Sequence, residues 1–242
     1  MNFLLPNSGN GRQRMLQLQL LALLPVSIAA LVNTGYQYLL AVAQNSALST
    51  DDFRGRLASG LGASHESLGL FDMLAAGFAH LVPILALALL VGGFWERIIA
   101  ERRQTPMEPS FILVALLFTL LLPGAAAFGH VVFGMSFAML VGRGIFGGDG
   151  KTFLNPALLG IAIVQVSFPS AADQHPLWSG LAGYAGSDAI AVYHRGGEAA
   201  LNAIDIDLWS AFIGSTAGTM GTTSILAVFL GAALLLIERL IA

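Results

Sequence analysis

The chain has 242 residues, of which 56% are hydrophobic and only 10% are charged. A soluble domain carries about 25% charged residues, so the composition excludes a soluble enzyme and a disordered chain. The net charge of -3 excludes the basic surface that nucleic-acid binding requires. The chain has no cysteine, which excludes disulfides, thiol catalysis and cysteine-ligated iron–sulfur clusters. These numbers predict an all-α, polytopic membrane protein.

Apolar segments divide the chain into candidate membrane spans. A bilayer core of about 30 Å requires roughly 20 apolar residues per helix. We expect one membrane domain over residues 1–242 with six spans, at residues 15–41, 72–95, 110–124, 126–143, 155–169 and 222–240. Pro25 is expected to kink the first span, and the short fifth span is open to being a broken or re-entrant helix. No cleavage pattern follows the first apolar run, so we expect no signal peptide.

Basic residues predict the orientation of these spans. With the N-terminus in the cytoplasm, eight of the eleven Lys and Arg residues fall on cytoplasmic segments. The other three, Arg54, Arg56 and Arg195, fall on the opposite side. Since Lys and Arg concentrate in cytoplasmic loops, we expect both termini to lie in the cytoplasm.

The stretch from Val91 to Glu96 is unusual for a membrane span. The pair Gly92 and Gly93 lets another backbone or a flat ligand approach closely, and Trp95 suits a membrane interface. Glu96 has two interpretations. It lines an ion or proton route, or it forms an ion pair with Arg97 or another nearby arginine.

Three further segments carry information. Residues 142–152 end in Gly-Lys-Thr, but Ile145 stands where a P-loop requires glycine, so we expect a glycine-rich turn. Asn155 suits a helix N-cap and Pro156 the first helical position. That helix start either binds an anion or carbonyl or simply begins a helix. Residues 214–224 are small and polar, and they form either irregular backbone facing a cavity or an ordinary loop.

Two histidines fall within the expected spans. A haem would require ligands at similar depth, whereas His130 begins its span and His80 lies well inside another. We therefore expect no haem, and we expect each histidine to make a polar contact or a hydrogen bond to a quinone. No pattern of metal ligands and no catalytic residue is predicted.

Several motifs in one order resemble those of NqrB, a membrane component of the Na⁺-translocating NADH:quinone reductase, and, more distantly, those of RnfD in Rnf complexes. The resemblance covers most of the chain. Its motifs are Leu24-Pro25, Asn33-Thr34-Gly35-Tyr36-Gln37, Val91-Gly92-Gly93-Phe94-Trp95-Glu96, Phe146-Gly147-Gly148-Asp149-Gly150, Phe153-Leu154-Asn155-Pro156-Ala157-Leu158 and Gly218-Thr219-Met220-Gly221 with Ser224.

The resemblance implies a fold of two inverted repeats of five spans. It implies quinone binding near Gly92 and Gly93, and we extend that site to Phe94 and Trp95. It also implies a role for Glu96 in cation uptake. The chain covers the first repeat and the opening of the second, so we expect a shortened paralogue. We expect other membrane subunits to complete its packing, with a homodimer as the alternative, through small residues such as Gly134, Gly142 and Gly160.

Family members carry FMN covalently on a threonine in the motif Asp-Gly-Tyr-Ser-Gly-Ala-Thr. The corresponding stretch here begins at Ala182, has alanine again at Ala185, and ends at Ser187 and Asp188. A carboxylate cannot form the same stable phosphoester and repels phosphate, while Ser187 lies one position early. We therefore expect this degenerate flavin site to hold no covalent FMN.

These features favour one function over two alternatives. The favoured function is a membrane subunit of a quinone-linked redox complex that scaffolds its partners, shapes a quinone site and carries no electron carrier of its own. The first alternative is a channel or transporter subunit for a cation or small solute, using Glu96 and the helix start at Asn155 and Pro156. The second is a structural accessory subunit of another bioenergetic complex.

Overall fold

A computed structural model describes residues 9–44, 52–64, 68–145, 153–168, 189–202 and 208–238. Within these ranges all regular structure is helical. The helices are α1 (Gly9–Ala22), α2 (Leu24–Gln44), α3 (Phe53–Gly60), α4 (Leu70–Arg103), α5 (Phe111–Leu121), α6 (Phe128–Phe137), α7 (Pro156–Ser167), α8 (Ala189–Asn202), α9 (Leu208–Ile213) and α10 (Ile225–Ile237). A π-helical segment, Ala138–Ile145, continues α6 without a break.

The helices are those of a polytopic membrane protein, as the composition predicts. In the described part of the chain, three helical stretches are long and apolar enough to cross a bilayer. They are Gly11–Ala43, which runs through α1 and α2, Leu70–Arg103, which is α4, and Phe128–Ile145, which joins α6 to the π-helical segment. Shorter apolar helices cover Phe111–Leu121, Pro156–Ser167 and Ile225–Ile237. At 1.5 Å per residue these shorter helices extend only about 16 to 20 Å. Whether all six cross the membrane stays a prediction.

The first expected span contains a helix break. α1 ends at Ala22 and α2 begins at Leu24, with a turn at Leu23 between them. Pro25 accounts for the break because it has no N–H to donate and its ring crowds the carbonyl four residues earlier.

The second expected span is longer as a helix than the apolar run that predicts it. α4 runs 34 residues from Leu70 to Arg103, tolerates Pro83 in its interior, and ends where Gln104 takes the left-handed conformation with φ 57°. Glu, Arg, Ile and Ala all favour helix or tolerate it, so the helix does not stop where the hydrophobic run stops. Glu96 therefore lies inside a helix and not at its end.

α4 is the central helix, and it packs on α2, α3, α5 and α6. Its contact with α2 is close enough to require glycine. A Cβ on Gly77 would strike the carbonyl oxygen of Leu31, and one on Gly35 would strike that of Met73. The main core lies between α2, α4, α5, α6, α7 and α10, and includes the fully buried side chains of Phe118 and Met135.

The small residues expected to serve a partner subunit pack within the chain instead. A Cβ on Gly160 of α7 would lie 2.7 Å from the carbonyl oxygen of Gly134 on α6, and one on Gly142 would lie 2.8 Å from Cα of Pro156. The expectation that these three glycines form an intersubunit surface was wrong. Because α6 and α7 follow each other in the chain, they bury these glycines against each other.

Candidate functional site

Glu96 lies on the inward face of α4 and is buried, with 3% of its surface exposed. Gly92 and Ala100, four residues before and after it, are buried on the same face. Phe94 lies on the opposite side and is 59% exposed. The helical period thus separates the stretch into an inward carboxylate and an outward aromatic ring.

Arg143 neutralises the Glu96 carboxylate. It lies in the π-helical segment and is 2% exposed. Its Nε lies 3.0 Å from Glu96 Oε2, and its Nη2 donates a hydrogen bond of 3.3 Å to Glu96 Oε1. Oε2 is close enough for charge attraction but accepts no well-directed hydrogen bond.

The segment between α4 and α5 supplies further partners of Arg143. Nη2 of Arg143 also donates to Glu108 Oε2 at 2.9 Å, and its Nη1 donates to Ser110 Oγ. The backbone N–H of Glu108 donates to Glu96 Oε1 at 3.0 Å. We call Glu96, Glu108, Ser110 and Arg143 the charged cluster.

The structure agrees with the ion-pair interpretation of Glu96, but the partner is Arg143 and not Arg97. Arg97 points away from Glu96 and pairs with Glu101 one turn later, at 2.9 Å, on the exposed surface of the helix. The partner of Glu96 is 47 residues away in the chain. Adjacent residues on a helix point about 100° apart, so Glu96 and Arg97 cannot share a face.

The start of α7 supports the position of Arg143. Asn155 caps this helix, because its side chain accepts a hydrogen bond of 2.9 Å from the N–H of Ala157, and Pro156 is the first helical residue. Pro156 packs directly on Gly142, next to Arg143. The helix start that the sequence indicates therefore braces the π-helical segment.

The glycine pair packs against neighbouring helices of the same chain. A Cβ on Gly92 would lie 2.6 Å from Met135 Cε, and one on Gly93 would lie 3.4 Å from the ring of Phe111. Trp95 donates its indole N–H to Ser136 Oγ at 2.9 Å. Helix packing thus accounts for both glycines. Quinone binding by Gly92, Gly93, Phe94 and Trp95 stays a prediction, and the accessible part of this stretch is the exposed ring of Phe94.

Residues 214–224 form an irregular link of turns and bends between α9 and α10, which we call the unwound segment. α2 holds it through Asn33, which donates to the carbonyl of Thr216 at 3.0 Å, and Gln37, which donates to that of Ser215 at 2.7 Å. The end of α5 holds it from the other side, where the N–H of Gly221 donates to the carbonyl of Leu120 at 2.7 Å. Irregular backbone at membrane depth requires such partners.

A second buried arginine lies near the far end of α4. Arg54 on α3 donates to the carbonyl of Ala126, in the link between α5 and α6, and its guanidinium lies 5.0 Å from the ring centre of Phe128. Burial lowers the pKa of Arg54 below its ordinary value, while the charge of Asp52 opposes the change. Arg54 thus supports an irregular link that would otherwise leave a carbonyl unpaired.

A separate apolar cavity lies elsewhere in the described part of the chain. It has a volume of about 480 Å³ between α1, α2, α5, α7 and α10, and includes Asn155, but no residue of 91–96 lines it. In the described part of the chain no group of three His, Asp or Glu residues stands ready for a metal ion. His80 is buried against Tyr38, at 4.7 Å between ring centres, and His130 lies 4.4 Å from the ring of Phe168.

Some site residues were missed by sequence reasoning, and others lie outside the described residues. Arg143 and Glu108 were missed as site residues. Each is an isolated charged residue next to an apolar helix, and that position was a signal that it could pair with another charge. Asn33 and Gln37 were noted only as parts of a family motif. Ser187 and Asp188 of the degenerate flavin site lie outside the described residues.

One protein family matches nearly the whole chain. Residues 6–242 match the profile of the NQR2, RnfD, RnfE family. The chain belongs to this family. A Na(+)-translocating NADH-quinone reductase subunit from Azotobacter vinelandii is 35% identical over 231 residues, which is 95% of this chain and 57% of the relative.

Other members of the family show the same pattern. The corresponding reductase subunits of Pseudomonas aeruginosa and Chromohalobacter salexigens are 34% and 32% identical, over 94% and 89% of this chain. The chain spans 57% and 52% of their lengths. The family resemblance drawn from the motifs is therefore confirmed. The chain covers little more than half of the length of these relatives.

Proposed function

We propose that this chain is a membrane subunit of a multisubunit, quinone-linked redox complex in a bacterial inner membrane. The observation that carries the proposal is the match to the NQR2, RnfD, RnfE family over residues 6–242. The relatives are named as subunits of a Na(+)-translocating NADH-quinone reductase. We also propose one membrane domain with six spans and both termini in the cytoplasm, from the distribution of Lys and Arg.

The quinone part of the proposal rests on the Val91–Glu96 stretch. Phe94 offers an exposed aromatic ring beside Trp95, whose ring centre lies 5.3 Å away. Gly92 and Gly93 let α4 pack closely against Met135 and Phe111. This packing fixes the position of the Phe94 ring on the surface. A flat quinone head group would stack on Phe94, with its tail in the lipid.

The flavin part of the proposal rests on the residues that stand where the family attaches its flavin. The stretch that ends at Ser187 and Asp188 lacks the threonine on which the family forms its phosphoester, and Asp188 repels phosphate. The residues present do not fit a covalent FMN, so no electron step is assigned to this chain. Electron carriers would belong to partner subunits.

Native purification tests the role in a complex. The tagged chain is extracted from its own membranes in mild detergent, and co-purifying proteins and quinone are identified by mass spectrometry. We expect other membrane subunits and a bound quinone that Phe94→Ala reduces at least about tenfold, a loss of about 1.4 kcal/mol in binding free energy. The control is Phe78→Ala, which removes another exposed ring of α4. A chain that purifies alone and without quinone contradicts the proposal.

A denaturing gel tests the flavin part separately. We expect no fluorescent band at the mass of this chain, whereas the relative from A. vinelandii, prepared in parallel, serves as the matched comparison. A fluorescent band that persists on this chain after denaturation contradicts the assignment.

One observation favours the alternative of a cation path. The charged cluster joins a buried carboxylate to the helix surface, and the unwound segment meets α5 and α10 at their ends, as discontinuous helices do in transporters. Sodium flux into liposomes that Glu96→Gln abolishes, in the absence of partner subunits, would favour this alternative over the redox role.

A further inference from the structure

The outward face of α4 changes from apolar to charged near the end of the helix. Leu90 is 71% exposed and Phe94 is 59% exposed. Arg97 and Glu101 follow on the same face, with side chains that are 74% and 64% exposed. Because these four positions recur at the helical period, they form one strip, which we call the outer strip. Arginines near the ends of membrane helices reach the interface, so Arg97 lies at the depth of the lipid head groups.

A cavity lies at the charged end of the outer strip. It has a volume of about 440 Å³ and is lined by Arg97, Ala100, Glu101, Gln104, Thr105 and Met107. Gln104 ends α4 in the left-handed conformation, and the N–H of Thr105 donates to the carbonyl of Ala100 at 3.1 Å. The last two turns of α4 and the segment that follows them therefore enclose a space of the size that small ligands occupy.

The charges at this cavity form one ion pair that keeps groups free for a ligand. Nε of Arg97 donates to Glu101 Oε1 at 2.9 Å. In the described part of the chain, no other hydrogen bond engages the two terminal NH₂ groups of Arg97 or Oε2 of Glu101. The guanidinium can therefore still donate to an anion, and the carboxylate can still accept from a cation. The site has both signs of charge and no net charge.

We propose that the outer strip binds one molecule of phosphatidylethanolamine. Its acyl chains lie along Leu90 and Phe94, its phosphate accepts hydrogen bonds from the NH₂ groups of Arg97, and its ammonium group donates to Glu101. The order of apolar, positive and negative groups along α4 is complementary to the order of tail, phosphate and ammonium in this lipid. The head group cannot bind in reverse, because its tails are held in the hydrocarbon.

The paired charges favour this lipid over other occupants of the same face. Phosphatidylglycerol is anionic and offers no cation to Glu101. Phosphatidylcholine has a cation without N–H groups, so it cannot donate a hydrogen bond to the carboxylate. A partner subunit would place Arg97 and Glu101 in the core of an interface, where charged residues are depleted. A quinone carries no charge, so the polar part of this site is separate from the proposed quinone site at Phe94.

The test uses the full chain, purified in detergent and stripped of lipid. Phosphatidylethanolamine, phosphatidylglycerol and phosphatidylcholine with identical acyl chains are added separately, and bound lipid is measured by native mass spectrometry. We expect phosphatidylethanolamine to bind at least about tenfold more tightly than either other lipid, because one hydrogen bond to a charged group suffices for such a factor. Equal binding of the three lipids, or a preference for phosphatidylglycerol, would overturn the proposal.

Two single substitutions separate the roles of the two charges. Arg97→Ala should weaken the binding of phosphatidylethanolamine about tenfold. Glu101→Gln should shift the preference to phosphatidylglycerol, because the site then has a net positive charge. Arg102→Ala is the matched control, since Arg102 is an exposed arginine of the same helix that does not line the cavity. An equal loss of binding in Arg97→Ala and Arg102→Ala would mean general charge attraction and would contradict the proposal.

Reversing the ion pair tests the order of the charges. The double variant Arg97→Glu/Glu101→Arg keeps both charges at the same helical spacing, but it places a carboxylate beside the phosphate. It should lose the preference for phosphatidylethanolamine, and a preference that survives the reversal speaks against the proposed orientation. Without lipid, these variants should melt like the unchanged chain, because exposed pairs add little stability. The measurements need neither quinone nor partner subunits, so they can fail while the redox role stands.

Discussion

The charged cluster and the unwound segment bury polar groups among apolar helices in two different ways. The cluster uses full charges, with Arg143 between Glu96 and Glu108. The unwound segment uses neutral groups, with Asn33 and Gln37 on α2 donating to its carbonyls. A lost partner leaves a buried charge in the first and an unpaired carbonyl in the second. The first therefore depends far more on each single residue.

The largest expected effect is in the charged cluster. Arg143→Met removes the partner of Glu96 and leaves a buried carboxylate uncompensated. We expect a loss of about 3–5 kcal/mol in the free energy of unfolding, measured by denaturant titration in detergent with choline as the only added cation. Adding Glu96→Gln should recover most of the loss. No recovery in the double variant would mean that packing, not charge, sets the cost.

A slightly smaller effect is expected where α2 meets α4, because this contact places the donors of the unwound segment. Gly77→Ala puts a methyl group against the carbonyl of Leu31. We expect a loss of about 1–3 kcal/mol in the free energy of unfolding and faster amide exchange in residues 214–218, which α2 holds, with exchange in the π-helical segment unchanged. Gly129→Ala is the control, because nothing lies within 4 Å of that Cβ. Equal effects from both variants would contradict the assignment.

The unwound segment itself should respond more mildly. Gln37→Leu removes the hydrogen bond to the carbonyl of Ser215. Single hydrogen bonds between membrane helices contribute about 0.6 kcal/mol on average. We therefore expect the free energy of unfolding to fall by about that amount. Hydrogen exchange resolved at single residues should show faster exchange in residues 214–218. Leu39→Ala on the same helix should destabilise the chain without a selective effect on that exchange.

The smallest effect is expected at the exposed pair of Arg97 and Glu101. These side chains are 74% and 64% exposed, and such pairs add little to stability. Arg97→Ala should leave the melting temperature unchanged within error. A clear drop would show that Arg97 contributes to the charged cluster after all.

Sequence reasoning succeeded where the cause is local. Asn155 and Pro156 begin a helix because a side-chain cap and a fixed φ act over two or three residues. Apolar runs likewise indicate the helices, although α4 continues past its apolar run to Arg103. The sequence does not identify the partner of Glu96. Which arginine it pairs with depends on how α4, α6 and α7 pack, and on a π-helical segment that no simple sequence pattern predicts.

The glycines show a second limit of the sequence. Gly92 and Gly142 indicate close approach, and close approach is found at both. The sequence does not say what approaches. A flat ligand, a partner subunit and a neighbouring helix all require the same missing Cβ, and here Met135 and Pro156 of the same chain occupy that space.

The π-helical segment gives residues 138–145 a register of their own. The wider turns take up about one residue more between Gly134, which packs on α7, and Arg143 than an α-helix would. The same residues in α-helical hydrogen bonding would turn the arginine by about 100° around the helix axis, away from Glu96. The pairing of the two buried charges is thus set by the hydrogen-bonding pattern of residues 138–145, and restoring the α-helical pattern would separate the charges without altering either side chain.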